Sequence, residues 1–237
     1  MSQVAHTSSA FAQDLEDLNM VVVKLGMLAS RQLNACLRAM SDFQANRVDL
    51  LIERDVELDE LEMQVNEMVL NIITMRAPRA EDLRRVLAAA KAAQSLERIG
   101  DYARNTAKRT KAIMAGDPDN LPWDQLIEIG TMVAAMIDDV LVAHQQGDLD
   151  AAQAIRNSDV HVDKLHTAFF EGVIADMEAG NLPPLVGAHL LFIGKNLERI
   201  GDFTTSLAEQ VLFIETGEAI EPNRPKADRT SWMIDEG

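Results

Sequence analysis

The amino-acid sequence predicts an all-α protein made of two tandem, repeated three-helix bundles. Aromatic residues make up only 4% of the 237 residues, and the chain has just 12 glycines and 7 prolines. Strands favour aromatic and β-branched residues, and turns need glycine and proline, so this composition favours helices. Apolar residues also recur at helical spacing through six long stretches.

Three of these stretches make up the first half of the chain. We place their helices at about residues 9–43, 46–75 and 81–115. Pro78 ends the second, because the residue before a proline disfavours helical backbone. Residues 116–122, Gly-Asp-Pro-Asp-Asn-Leu-Pro, are the strongest helix-breaking segment in the chain.

Three further helices are predicted after this break, at about residues 123–146, 149–179 and 184–216. Short Gly-containing turns separate them, which favours antiparallel packing of neighbours. From residue 219 the sequence is polar and loses apolar periodicity. The predicted organisation is a first bundle at residues 1–117, a second at 118–218 and a flexible tail at 219–237.

An internal repeat supports this division. Leu-Glu-Arg-Ile-Gly-Asp at residues 96–101 recurs without change at residues 197–202, an offset of 101 residues. The preceding helices align at an offset of 104, which places residues 55–59 opposite residues 159–163. We infer that the halves arose by duplication and share a fold.

Each half carries two pairs of acidic residues spaced four apart, which places both carboxylates of a pair on one helix face. Hard cations prefer such oxygen-rich sites, so the pattern predicts metal binding. Gly100 and Gly201 add weight, because glycine inside a helix is unfavourable and its repetition beside the acids suggests a close approach of a helix or ligand. The predicted ligands are Asp55, Asp59, Glu97, Asp101, Asp159, Asp163, Glu198 and Asp202. Glu62 and His166, one turn further along, are less certain ligands.

Other interpretations of the acids remain open. Arg98 lies three residues before Asp101, and Arg199 lies three before Asp202, so each motif also fits an exposed helical ion pair. A metal-dependent hydrolase, a metal-storage bundle and a metal-free helical scaffold are the alternative functions. No phosphate-binding loop, dinucleotide-binding turn or hydrolase motif is present, so we expect a regulatory binding protein and not an enzyme.

The net charge, the cysteine content and the lack of targeting segments limit the possible binding partners and cellular compartment of the protein. The net charge of −16 argues against nucleic acid and anionic membrane surfaces as partners. The single cysteine, Cys36, excludes an intramolecular disulfide. The sequence shows neither a secretory signal nor an apolar run of about 20 residues, so we expect a cytoplasmic protein without a transmembrane segment.

These motifs resemble the PhoU family. The resemblance rests on the repeated L-E-R-I-G-D motif, the D/E-x-x-x-D pairs, the opening at residues 6–18 and the segment at residues 77–84. It covers almost the whole chain. The sequence departs from the usual family pattern at Phe203 and Ser206 after the second motif and at Lys108 after the first.

The resemblance implies a negative regulator of phosphate uptake and of the phosphate-starvation response. Such a protein acts in the bacterial cytoplasm as an adaptor between the ATPase subunit of the phosphate ABC transporter and a phosphate-sensing histidine kinase. It also implies a homodimer and multinuclear metal binding through the D/E-x-x-x-D motifs, with iron, manganese, magnesium or zinc as candidate ions.

Overall fold

The structure, a computed structural model, describes residues 2–41, 56–116, 121–218 and 226–230. Within these residues the chain forms six α-helices and no strand, which confirms the all-α prediction. None of these helices combines the length and the apolar character needed to cross a bilayer. The helices are α1 Ser2–Ser41, α2 Val56–Arg76, α3 Ala80–Met114, α4 Trp123–Gln146, α5 Leu149–Glu178 and α6 Pro184–Thr216.

The helix ends follow local sequence signals in the second half. Asp148 caps α5 by accepting a hydrogen bond from the Ala151 amide at 3.0 Å. Gly147 and Gly217 end α4 and α6 in the left-handed conformation, with φ of 64° and 73°. The last four predicted helices lie within about a residue of the observed ones. The first begins at Ser2 instead of near residue 9, and the predicted start of the second lies outside the described residues.

The six helices form two three-helix bundles that share one hydrophobic core. Helices α1, α2 and α3 pack together, as do α4, α5 and α6, while α3 against α6 and α1 against α4 join the bundles. The buried apolar residues form a single continuous cluster that draws on both halves. The two bundles are therefore packed side by side along their lengths.

Reciprocal contacts between α1 and α4 preserve the symmetry of the duplication. A methyl group at Gly26 would collide with Leu141, and one at Gly130 would collide with Leu37. Gly130 lies 104 residues after Gly26, and Leu141 lies 104 residues after Leu37. The same glycine–leucine contact is thus made twice, once in each direction, as across a two-fold axis.

The third helices of the two halves meet at equivalent residues. Tyr102 and Phe203 each directly follow a copy of the six-residue motif, and their rings stack at a centroid distance of 5.9 Å and an interplanar angle of 28°. The family-pattern departure at Phe203 therefore places an aromatic ring on the pseudo-symmetry axis.

Candidate functional site

The predicted acidic residues lie in two groups, one in each bundle. We call Asp59, Glu97 and Asp101, on α2 and α3, the first cluster. Asp159, Asp163, Glu198 and Asp202, on α5 and α6, form the second cluster. Asp55 lies outside the described residues.

The first cluster is partly exposed to solvent and paired with arginines. Asp59 is exposed, and the side chains of Glu97 and Asp101 are 21% and 22% exposed. Arg104 donates a hydrogen bond to Asp101, and Arg98 lies 3.6 Å from Glu97 and 3.5 Å from Asp101. Burial and then the charge of Asp101 raise the pKa of Glu97, while Arg98 opposes both. The predicted alternative of a helical ion pair describes this cluster as it stands.

The second cluster is buried. Asp159, Asp163 and Glu198 are only 1%, 2% and 3% exposed, whereas Asp202 is partly exposed. A buried carboxylate is costly unless it is neutralised or hydrogen-bonded. This cluster therefore depends on the groups that the fold brings to it.

The two glycines next to the clusters lie at close helix crossings. A methyl group at Gly100 would collide with Leu58 of α2. One at Gly201 would stand 3.3 Å from Asp159 Oδ1 and 3.4 Å from Val162 of α5. This confirms the expected close approach, and the approaching element in both halves is a helix. Asp159 thus lies close against α6 at Gly201.

Lys195 supplies positive charge inside the second cluster. Its Nζ atom lies 2.8 Å from Glu198 Oε2 and 3.0 Å from Asp228 Oδ2. Burial raises the pKa of Glu198 to about 7, against the opposing effect of Lys195, and the charge of Asp202 raises it further. The spacing of three residues before Glu198 is the signal by which sequence reasoning could have found Lys195.

A segment of the tail, residues 226–230, lies on the second cluster, and we call it the strap. The Ala227 amide donates a hydrogen bond to Asp163 Oδ2 at 2.7 Å. Lys226 Nζ lies 3.4 Å from Asp202 Oδ1. Where the sequence predicts a flexible tail, these five residues lie against α5 and α6 through contacts with Asp163 and Asp202. Residues 219–225 and 231–237 lie outside the described part.

Asp228 links the strap to α6 through Lys195 and also binds Thr230 within the strap. Its Oδ1 atom accepts hydrogen bonds from the Thr230 amide at 3.0 Å and the Thr230 hydroxyl at 2.7 Å. Burial alone would raise the pKa of Asp228, but the Thr230 hydrogen bonds and Lys195 lower it to about 2. The Arg229 amide reaches Thr167 Oγ1 on α5 at 3.4 Å. Sequence reasoning missed Asp228, because its role depends on where the tail docks.

The two less certain ligands differ in their surroundings. His166 is 1% exposed, and its Nδ1 atom lies 3.6 Å from Asp228 Oδ1, beyond hydrogen-bond length, with no hydrogen-bond partner among the described residues. Burial lowers the pKa of His166, and the carboxylate of Asp228 opposes this. Glu62 accepts a hydrogen bond from Asn66 at 2.6 Å along its own helix. Only His166 adds a free, buried acceptor next to a cluster.

The second cluster has several buried carboxylates, which suit a hard cation, and the imidazole of His166 beside them, which suits a transition metal such as iron or zinc. Their positions in this structure do not converge, however. Within the described residues, no three His, Cys, Asp or Glu side chains are placed to hold one metal ion. Metal binding by the predicted residues stays a prediction.

Comparison with known proteins shows which family has this architecture. The family model described as the PhoU domain matches residues 22–110 and again residues 126–211. The chain belongs to the PhoU family. Each match falls within one of the two bundles, which confirms the resemblance and the tandem repeat.

PhoU-family relatives align with this chain over most of its length. The phosphate-specific transport system accessory protein PhoU homolog of Zymomonas mobilis is 36% identical over 227 residues, covering 95% of this chain and 94% of that protein. The homolog of the same description from Caulobacter vibrioides is 33% identical over 223 residues, covering 94% and 97%.

The fold is also that of solved PhoU structures. The crystal structure of PhoU from Pseudomonas aeruginosa superposes with a TM-score of 0.85 at 26% identity, covering 88% of this chain and all of that one. The PhoU phosphate transport system regulatory protein from Streptococcus pneumoniae superposes with a TM-score of 0.81 at 23% identity, covering 89% and 99%. The second likeness concerns the fold alone.

Proposed function

We propose that this chain is an accessory protein of a phosphate-specific transport system that restrains phosphate uptake and the phosphate-starvation response. The observation that carries the proposal is the pair of PhoU domains, together with relatives of at least 30% identity that are described as accessory proteins of that system. In this proposal the role is regulatory and not enzymatic, and the description of these relatives as accessory proteins of a transport system supports it.

In this proposal the chain works in the cytoplasm as an adaptor. Its partners are the ATPase subunit of the phosphate ABC transporter and the phosphate-sensing histidine kinase. The active form is a homodimer. The acidic net charge of −16 supports protein partners over nucleic acid.

A chromosomal deletion, complemented in trans, tests the regulatory role. At high phosphate we expect the deletion to raise phosphate uptake and switch on a starvation-response reporter, and the intact gene to restore repression. Co-purification with the ATPase and the kinase at high and low phosphate tests the adaptor role. Unchanged uptake and reporter output after deletion would contradict the first, and no association under either condition would contradict the second.

The second part of the proposal is that the second cluster holds a cation. The ligands would be Asp159, Asp163, Glu198 and Asp202, with His166 beside them. A bound ion would balance the buried negative charge there and offer a phosphate anion a place to bind. The burial of three carboxylates supports this choice, because an exposed acid pair needs no such ion.

The first cluster is the weaker candidate for a metal. Asp59 is exposed, and the partly exposed Glu97 and Asp101 lie beside arginine side chains. Glu62 lies on the same helix as Asp59, and the other predicted member, Asp55, is outside the described residues. Arg98 and Arg104 already offset part of the negative charge that a cation would balance there. We therefore rank the second cluster ahead of the first as a cation site.

Matched double variants test this ranking. Manganese binding to the purified protein should be lost in Asp163→Asn/Glu198→Gln and kept in Asp59→Asn/Glu97→Gln, the corresponding change in the first bundle. Calorimetric titration with Mn²⁺ measures both. Equal loss of binding in the two double variants would refute the ranking, and absence of binding to the intact protein would refute the cation site.

A further inference from the structure

We infer that the strap is a built-in competitor for the second cluster, so that strap docking and cation binding exclude each other. This inference rests on the proposed cation site. It assigns a regulatory role to residues 226–230, which lie beyond both PhoU domains.

The strap contacts atoms that would bind the cation. Asp163 Oδ2 accepts the Ala227 amide at 2.7 Å, so that oxygen is directed at the strap backbone. The ammonium group of Lys226 lies 3.4 Å from Asp202 Oδ1. Two of the four carboxylates of the second cluster thus face donors that belong to the strap.

The strap also affects the charge balance of the second cluster. Asp228 lies 3.0 Å from Lys195 Nζ, which also lies 2.8 Å from Glu198. The strap therefore keeps Lys195 at the cluster by offering it a second carboxylate. Lys195 and Lys226 together supply the positive charge that a cation would otherwise bring.

The positions of the cluster's side chains fit mutual exclusion of the docked strap and a bound cation. The donor types fit a hard cation, yet no three of the described candidate side chains converge on one position while the strap is docked. His166 Nδ1 also faces Asp228 at 3.6 Å without a hydrogen bond. Departure of the strap would free Asp163 Oδ2 from the Ala227 amide and remove Asp228 from beside His166.

The composition of the strap favours its dissociation from the second cluster. Its five residues, Lys-Ala-Asp-Arg-Thr, include no large apolar side chain, so little hydrophobic area holds it down. The side chain of Lys226 is 55% exposed, and Arg229 is exposed and binds through its backbone amide alone among the contacts described here. Among the described residues, polar contacts with the cluster anchor the strap, and these are the contacts that a cation would replace.

Full-length Asp228→Asn tests the inference, because it weakens the strap without changing a proposed ligand. We expect it to bind Mn²⁺ about tenfold more tightly than the intact protein, the change expected when one charge-assisted hydrogen bond is lost. Lys226→Ala should shift affinity in the same direction. Arg229→Ala is the matched control on the strap and should leave affinity unchanged.

A second readout follows the strap itself. Trypsin cleavage of the Lys226–Ala227 bond, followed by mass spectrometry, should be slow in the intact protein without metal, faster in Asp228→Asn, and faster in the intact protein with Mn²⁺. Asp163→Asn/Glu198→Gln controls for any effect of Mn²⁺ on trypsin, because Mn²⁺ should not change its cleavage rate.

The outcomes separate the two claims. If Mn²⁺ binds the intact protein, Asp228→Asn and Lys226→Ala with equal affinity, competition is overturned and the cation site stands. If Mn²⁺ binds none of them, the cation site is overturned and competition falls with it, although metal-free protection of the Lys226–Ala227 bond would still report strap docking.

Discussion

The same six-residue motif lies in two different environments in the two bundles. In the first, Glu97 and Asp101 are accessible and paired with arginines. In the second, Glu198 is 3% exposed and paired with Lys195 beneath the strap. Identical motifs thus do not guarantee identical sites after a duplication.

The difference comes from residues outside the motif. The position of Arg104 in the first half corresponds to Thr205 in the second, a buried residue whose hydroxyl donates to the Gly201 carbonyl. The position of Lys195 corresponds to the exposed Gln94. The first motif is thus followed by a positive residue, Arg104, whereas the second is preceded by one, Lys195. The strap covers the cluster that contains Lys195.

The largest expected effect comes from removing the lysine of the buried cluster. Lys195→Met leaves Glu198 and Asp228 without their shared partner. We expect a loss of about 2 kcal/mol in the free energy of unfolding, below the roughly 3–5 kcal/mol of a fully buried pair because Lys195 is 37% exposed. Urea denaturation measures this loss.

Arg98→Met is the matched control in the first bundle. Arg98 is 51% exposed, and an exposed ion pair contributes about 0–1 kcal/mol. Equal losses in the two variants would contradict the environmental difference between the clusters.

A smaller effect is expected from the pH dependence of Glu198. Folding raises the pKa of this acid to about 7 from its ordinary value of 4.5. Its contribution to stability is therefore present in full below the unfolded pKa and is lost as the pH rises through about 7. Between pH 5 and pH 8 we expect Glu198 to remove about 1–2 kcal/mol of stability from the intact protein.

Glu198→Gln should abolish that dependence, and Glu97→Gln should change it less because Glu97 is more exposed. Thermal unfolding of the three proteins between pH 5 and pH 8 provides the comparison. A parallel decline in all three melting temperatures would show that Glu198 is not its source.

The smallest effect concerns a feature that the two halves share. The stacked rings of Tyr102 and Phe203 join α3 to α6 at the pseudo-symmetry axis. A double-mutant cycle with Tyr102→Leu and Phe203→Leu should give a coupling energy of about 0.5–1.5 kcal/mol. Additive effects of the two substitutions on unfolding would mean that the stacking contributes nothing beyond burial.

Local sequence signals were sufficient for most of the fold. Helix breakers such as Pro78 and Gly147 and the apolar periodicity located the helix ends, and the repeated motif located the two bundles. The acid spacing likewise placed Glu198 and Asp202 on one face. These features depend on neighbours a few residues apart, which is why a single sequence reveals them.

The burial of the second cluster and the strap were not predictable in the same way. Asp163 binds the amide of Ala227, 64 residues later in the chain. Nothing in the composition of the polar tail distinguishes residues 226–230 from a solvated segment. Only the three-dimensional arrangement of α5, α6 and the tail shows which carboxylates are covered.

The most direct test of the central claim is a crystal structure of the full-length protein grown with Mn²⁺, with anomalous scattering used to locate the ion. The account predicts an anomalous peak among Asp159, Asp163, Glu198 and Asp202, with residues 226–230 displaced from Asp163. A peak at that position with the Ala227 amide still bound to Asp163, or a peak at Glu97 and Asp101 alone, would contradict it.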